Sequence, residues 1–146
     1  RPAMSKPDWV KEHIEEYRKN PEKGHMWDSS VVGGPGEVPC LLLTTTGRKS
    51  GKQRTTPLIY SFQDGGYVII ASKGGAPEHP SWYLNIEDDP NVKIQVSTHE
   101  MNARAEVVEG EKRERLWNAM VKVWPDYENY QKKTDREIPV VLLLPK

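Results

Sequence analysis

Three β-forming runs follow one another between residues 40 and 72, with no space between them for a helical crossover. The first, CLLLTTT (40–46), ends in β-branched residues that favour extended backbone. The second spans 55–62 and the third, YVIIAS, spans 67–72. Between the last two stands QDGG, whose Asp64-Gly65-Gly66 supplies the positive φ angles of a tight turn. Parallel neighbours would need a crossover of about a dozen residues, so turn-linked runs like these pair antiparallel.

The rest of the chain adds helices around this β unit. SKPDWVKEHIEEYRKN places Trp9, Val10, His13, Ile14 and Tyr17 at helical spacing, with Ser5 or Asp8 as cap, and predicts a helix over 7–19. VVGGPGEVP then interrupts regular structure. HPSWYLNIEDD reads as a short helix with Pro80 in its first turn. NVKIQV and HEMNARAEVVE alternate as strands. EKRERLWNAMVKVW is a helix burying Leu116, Trp117, Met120 and Val121, PDYENYQKKT is a second helical segment, and IPVVLLLPK is a final strand. Strands and helices do not alternate regularly, which argues against a doubly wound parallel sheet. The expected fold is mainly β with flanking helices, a six-stranded antiparallel barrel. Residues 1–37 read as an N-terminal helix and linker, and 38–146 as the barrel domain. Arg1-Pro2-Ala3 ahead of Met4 reads as an expression remnant, with Met4 as the native start.

Composition narrows the partners. The 146 residues suit one domain. With 21 basic and 21 acidic residues, the chain has no global attraction to nucleic acid or membrane, so charge must be read locally. Cys40 is the only cysteine, which rules out an internal disulfide and a cysteine-based zinc site. His13, His25, His79 and His99 fall on four separate segments and suggest no metal. No apolar run approaches the roughly 18 residues of a membrane-spanning helix. A cytoplasmic location is expected.

The local charge lies in TTTGRKSGKQRTT, where Arg48, Lys49, Lys52 and Arg54 stand between two strands. A nucleotide-hydrolase loop needs four residues between its glycines and a helix after its Lys-Ser/Thr. Here three residues separate Gly47 from Gly51, Gln53 follows Lys52, and a strand comes next. The loop still suits an anion. Its glycines admit close backbone approach, arginines fork onto phosphate, and Ser50, Thr55 and Thr56 add hydroxyls. A solvated hairpin loop is the plain alternative. The cluster is too compact for a nucleic-acid face, which spreads cations among stacking aromatics.

LLLTTTGRKSGKQRTTPL, GGYVIIASKGGAPEHPSWYLNI and WPDYENYQKKTDREIPVVLL occur in this order and together resemble the deazaflavin-dependent nitroreductase family, over about residues 38–146. The resemblance implies a split β-barrel of the FMN-binding type and the deazaflavin coenzyme F420, which carries a phosphodiester and a polyglutamate tail. It implies that Arg48, Lys49, Ser50 and Arg54 hold the phosphate and the start of the tail, Lys52 standing at a variable position. It further implies that Thr55, Thr56, Pro57, Leu58 and Ile59 line the cofactor. Ile70, Ala71, Ser72 and Lys73 would approach the ring through backbone groups, and Ser81, Trp82, Tyr83, Leu84 and Asn85 would complete the pocket. By residue pattern alone, Trp82, Tyr83 and Leu84 read as core residues at helical spacing.

Trp124, Tyr127 and Tyr130 recur every three residues, which aligns them on one helix face. The resemblance makes Ile59, Trp124, Tyr127 and Tyr130 a substrate wall; a proton must follow the hydride, and Tyr127 or Tyr130 is the candidate to donate it or to order water. It departs at Ile59, where the nitroreductase type carries an aromatic, and at Trp124, where a tyrosine occurs. The implied activity is hydride transfer from F420H2 to a quinone or nitro-compound. No obligate protein partner is evident. The first helix invites weak peripheral contact with the inner membrane face, although its mixed charges favour packing on the barrel. The competing readings are a non-catalytic F420 carrier, an FMN-dependent split-barrel oxidase and a binding module for anions or nucleic acid.

Overall fold

The computed structural model describes residues 8–146. The expected remnant at 1–3, the start at Met4 and the cap at Ser5 lie outside the described residues, as does the side chain of Trp9. The chain opens with α1 (Asp8–Lys19), α2 (Pro21–His25) and β1 (Met26–Asp28). β2 (Glu37–Thr46), β3 (Gln53–Ile59), β4 (Ser61–Gln63) and β5 (Gly66–Ile70) follow. After them come α3 (Ser81–Asp88), β6 (Asn91–Val96), β7 (His99–Val107), α4 (Gly110–Val123), α5 (Asp126–Lys132) and β8 (Val140–Pro145).

Every strand pair is antiparallel. The ladder runs β2-β6-β7-β8-β5-β4, and β3 returns to pair with β2. β4 continues β3 after one residue, so this bent segment closes the barrel by exchanging one partner for another. Pro57 sits opposite Leu42 in β3, whose other edge is unpaired, and an edge strand tolerates the missing donor.

The mainly antiparallel barrel with outer helices is as expected, but the described residues form eight strands rather than six. Residues 55–62 were expected to form one strand. The run breaks at Tyr60, whose amide turns to the Pro39 carbonyl at 3.2 Å. No turn residue marks the break, because it follows from the change of partner. β1 has three residues, and pairing with Glu37–Pro39 makes it a strand. α2 was likewise not foreseen.

Alternation divides the buried residues between two cores. Leu41, Leu43, Ile69, Val141 and Leu143 pack inside the barrel with Tyr83 and Ile86 of α3. Cys40, Val68, Ile70, Val140 and Leu142 face outward and are covered by Leu116, Met120, Trp124 and Tyr127. β8 is therefore apolar on both faces, which is why VVLLL shows no polar alternation. Tyr17 ties α1 to the sheet. Its hydroxyl donates to the Cys40 carbonyl at 2.9 Å and accepts from the Ser97 amide at 2.7 Å.

Candidate functional site

The basic loop is a closed turn. The Gly47 amide donates to the Lys52 carbonyl at 2.7 Å, and the Gly51 amide to the Gly47 carbonyl at 2.8 Å. Gly51 has φ +72°, a left-handed conformation that glycine adopts without strain. α3 holds the loop in place. Asn85, buried at 4% exposure, accepts at Oδ1 from the Arg48 amide (3.1 Å) and the Arg48 Nη1 (2.9 Å). Its Nδ2 donates to Thr45 Oγ1 at 3.1 Å. One buried amide thus fixes both the turn and the arginine, whose Nε and Nη2 have no partner among the described residues.

A cavity of about 500 Å³ opens beside this turn. Arg48, Lys49, Ser50, Arg54, Thr55, Thr56, Ser81, Trp82 and Asn85 line it. A second cavity of about 380 Å³ has Pro57, Leu58, Ile59, Ile70, Ser72, Lys73, Trp82, Trp124, Tyr127 and Tyr130 among its walls. Trp82 borders both, so a cationic groove continues into an aromatic slot. β3 runs along both, contributing Arg54–Thr56 to the first and Pro57–Ile59 to the second.

The turn after β5 borders the slot with unusual backbone. Lys73, Gly74 and Gly75 have φ values of +47°, +64° and +85° in succession. The amides of Ser72, Lys73 and Gly74 have no acceptor among the described residues. Successive amides in right- then left-handed backbone form a concavity for an electronegative atom. A Cβ on Gly75 would stand 2.7 Å from the Tyr130 carbonyl oxygen, so only glycine lets the turn press against α5. On its outer side the turn is held by Arg136. The guanidinium donates to the carbonyls of Ala71 (3.2 Å), Ser72 (2.8 Å) and Ala76 (2.9 Å), and to His79 Nδ1 at 3.0 Å. Burial and the adjacent guanidinium both lower the His79 pKa, which keeps that nitrogen an acceptor.

Trp124 lies just beyond α4, and Tyr127 and Tyr130 lie on α5, so the three aromatics meet across a helix junction rather than on one helix. The Trp124 indole Nε1 donates to the Tyr130 hydroxyl oxygen at 3.3 Å. The hydroxyl proton of Tyr130 is therefore free to point elsewhere. Tyr127 and Tyr130 meet edge to face at 6.1 Å. Burial raises the Tyr127 pKa well above the usual phenol value, which makes it a worse acid than a free tyrosine. Cys40 at the slot wall is pushed up to about 12 by burial and is no nucleophile at neutral pH.

Most of the residues singled out in the sequence meet in these two cavities, and a few do not. Ala71 is fully buried in the inner core, Tyr83 belongs to the same core, and Leu84 packs against it. Lys52 is exposed and lines neither cavity. Conversely, His13 and Trp27 line the slot from α1 and β1. In the sequence, His13 shows only as one position of a helical stripe. Arg136 lies within the stretch WPDYENYQKKTDREIPVVLL, but nothing in its spacing reveals its four contacts.

The pair of cavities fits a flat ring joined to an anionic chain. The slot is walled mainly by apolar and aromatic groups, as a planar ring requires, and the groove offers guanidinium, ammonium and hydroxyl donors. The chain is 42% identical over 112 residues to F420H(2)-dependent quinone reductase Rv1261c of Mycobacterium tuberculosis, covering 75% of each. It is 46% identical to the solved F420-H2 dependent reductase FDR-A, with a TM-score of 0.67 over 72% of this chain and 93% of that one. A structure described as a domain-swapped dimer is 40% identical, with a TM-score of 0.68 over 93% and 97%. The profile of the family described as F420H(2)-dependent quinone reductase matches residues 9–145. This chain belongs to the F420H(2)-dependent quinone reductase family.

Proposed function

We infer that the protein is an oxidoreductase that reduces quinones with F420H2. The observation that carries this reading is the continuity of the cationic groove with the aromatic slot at Trp82. Arg48, Lys49, Ser50 and Arg54 hold the phosphate and the first part of the tail. Pro57 to Ile59 on one side and Ile70, Ser72 and Lys73 on the other flank the ring, with Thr55 and Thr56 in the groove and Trp82 at the junction. The free amides of Ser72, Lys73 and Gly74 suit an electronegative ring atom. When bound, F420H2 supplies the hydride; the protein supplies alignment and a dry wall.

Trp124, Tyr127 and Tyr130 form the acceptor wall. Tyr127 acts by shape, since burial makes its phenol a poor acid. Tyr130 acts by hydrogen bonding, because its oxygen is already occupied by the Trp124 N–H and its own proton is free for an acceptor oxygen. Ile59 leaves this wall without a further aromatic ring, which suits compact planar acceptors better than bulky bicyclic ones. Small nitroaromatics are the second acceptor class.

Fluorescence titration with oxidised F420 and with FMN tests the cofactor. Tighter binding of F420 is expected, and preference for FMN would remove it. Reoxidation of F420H2 by menadione, followed at the deazaflavin band, tests the reaction. Tight F420 binding without accelerated reoxidation would instead support a carrier. Tyr130→Phe is expected to lower kcat/KM for menadione about tenfold, the value of one hydrogen bond, with the F420 dissociation constant unchanged. The opposite pattern would count against the wall.

A further inference from the structure

His13 is a polar group of the slot to which the reading above gives no role. It is 6% exposed and lines the cavity from α1. Its Nε2 lies 2.9 Å from the Gly24 carbonyl oxygen. A carbonyl only accepts, so Nε2 bears a hydrogen and Nδ1 carries the lone pair of the neutral ring. Nδ1 has no hydrogen-bond partner among the described residues, yet it is not sealed from solvent. The ring is held rigidly. Trp27 stacks on it at 5.4 Å and 13°, and Tyr17 lies 6.1 Å away. The Nδ1 lone pair is therefore met by solvent, or by whatever polar group displaces that solvent from the cavity.

We propose that His13 is a catalytic residue whose Nδ1 delivers the proton that completes quinone reduction. This rests on the quinone-reductase reading. Reduction of a quinone to a hydroquinone takes one hydride and one proton. The hydride brings both electrons and leaves negative charge on a quinone oxygen. The Nδ1–H bond of the imidazolium breaks, an O–H bond forms at that oxygen, and the neutral ring regains a proton from solvent through the cavity mouth. Tyr130 hydrogen-bonds the acceptor from α5 and leaves the proton transfer to the imidazolium.

The pH dependence follows from the same geometry. Desolvation lowers the His13 pKa from its usual value of 6.5, and the bond to Gly24 partly opposes this. The donating form therefore grows as pH falls through that lowered value, and turnover rises with it. Tyr17 on α1 lies beside the ring, and the other titratable groups lining the slot are Cys40 on β2, Lys73, paired with Glu78, after β5, and Tyr127 and Tyr130 on α5. Burial pushes Tyr17 and Cys40 up to about 12 and raises Tyr127 as well, so none of these three produces an acid limb.

His13→Gln tests the assignment, because its amide N–H can still reach the Gly24 carbonyl while the second ring nitrogen is gone. At saturating F420H2, the wild-type rate with menadione is expected to rise from about pH 8 to about pH 5. In His13→Gln that limb should flatten and kcat at about pH 6 should fall about a hundredfold. The F420 dissociation constant and melting temperature should stay at wild-type values. In imidazole nitrogen NMR of the wild type, the His13 signal, identified by its loss in the variant, should move on saturation with menadione. An unchanged pH profile in the variant, or a His13 signal indifferent to menadione, would overturn the proposal. No F420H2-dependent menadione reduction by the wild type would sink the quinone reading first and this proposal with it.

Discussion

Arg136→Ala is expected to cost about 3 kcal/mol of stability and to weaken F420 binding at least about tenfold. The guanidinium satisfies three backbone carbonyls of one turn and the Nδ1 of His79. Alanine leaves those acceptors without a donor in a half-buried position. The left-handed run from Lys73 to Gly75 then loses its outer anchor, and the free amides of Ser72 to Gly74 lose their common direction. Arg136→Lys keeps the charge but has no planar fork, so it should restore only part of the stability. Thermal unfolding and F420 titration of both variants provide the check. Amide hydrogen exchange at 72–75 should quicken in Arg136→Ala. Wild-type exchange and affinity in that variant would remove Arg136 from the site.

The second large effect is expected from Arg48→Ala with Lys49→Ala. If each charge-assisted contact to phosphate or carboxylate contributes about 1.5 kcal/mol, the pair accounts for a change of roughly a hundredfold in dissociation constant. The loss should be greater for F420 with longer glutamate tails and smaller at high salt, because exposed charges are screened. Part of the effect comes through Asn85, which Arg48 contacts through both backbone and side chain. Asn85→Ala separates the two causes. It should loosen the turn but leave the salt dependence. An unchanged dissociation constant in the double variant would show that the tail lies elsewhere.

The site was more legible in the sequence than its support. Cations spaced by glycines between two strands pointed to an anion, because charge and backbone freedom are local properties. The aromatics at 124, 127 and 130 were visible for the same reason. Their arrangement was not. Equal spacing suggested one helix face, whereas Trp124 stands at the junction of α4 and α5 and reaches Tyr130 through its indole nitrogen. Tyr83 and Leu84 belong to the same short helix as Trp82 and Asn85, yet they line neither cavity, while Trp82 borders both cavities as well as the core and Asn85 lines the groove. Short amphipathic segments do not reveal which neighbour lies on which side.

From its residues alone, this chain was bound to form antiparallel strands with a basic, glycine-containing loop between two of them. Turn length, β-branching and alternation act over a few residues and need no distant partner. Folding alone decided that residues 55–62 would bend at Tyr60 to close the barrel, that Asn85 would hold Arg48, and that Arg136 would hold the turn after β5. His13 came to the slot in the same way, carried there by α1 and fixed by Trp27. Each of these contacts joins residues far apart in the chain, and a sequence read in short windows carries no record of which distant groups will satisfy one another's hydrogen bonds.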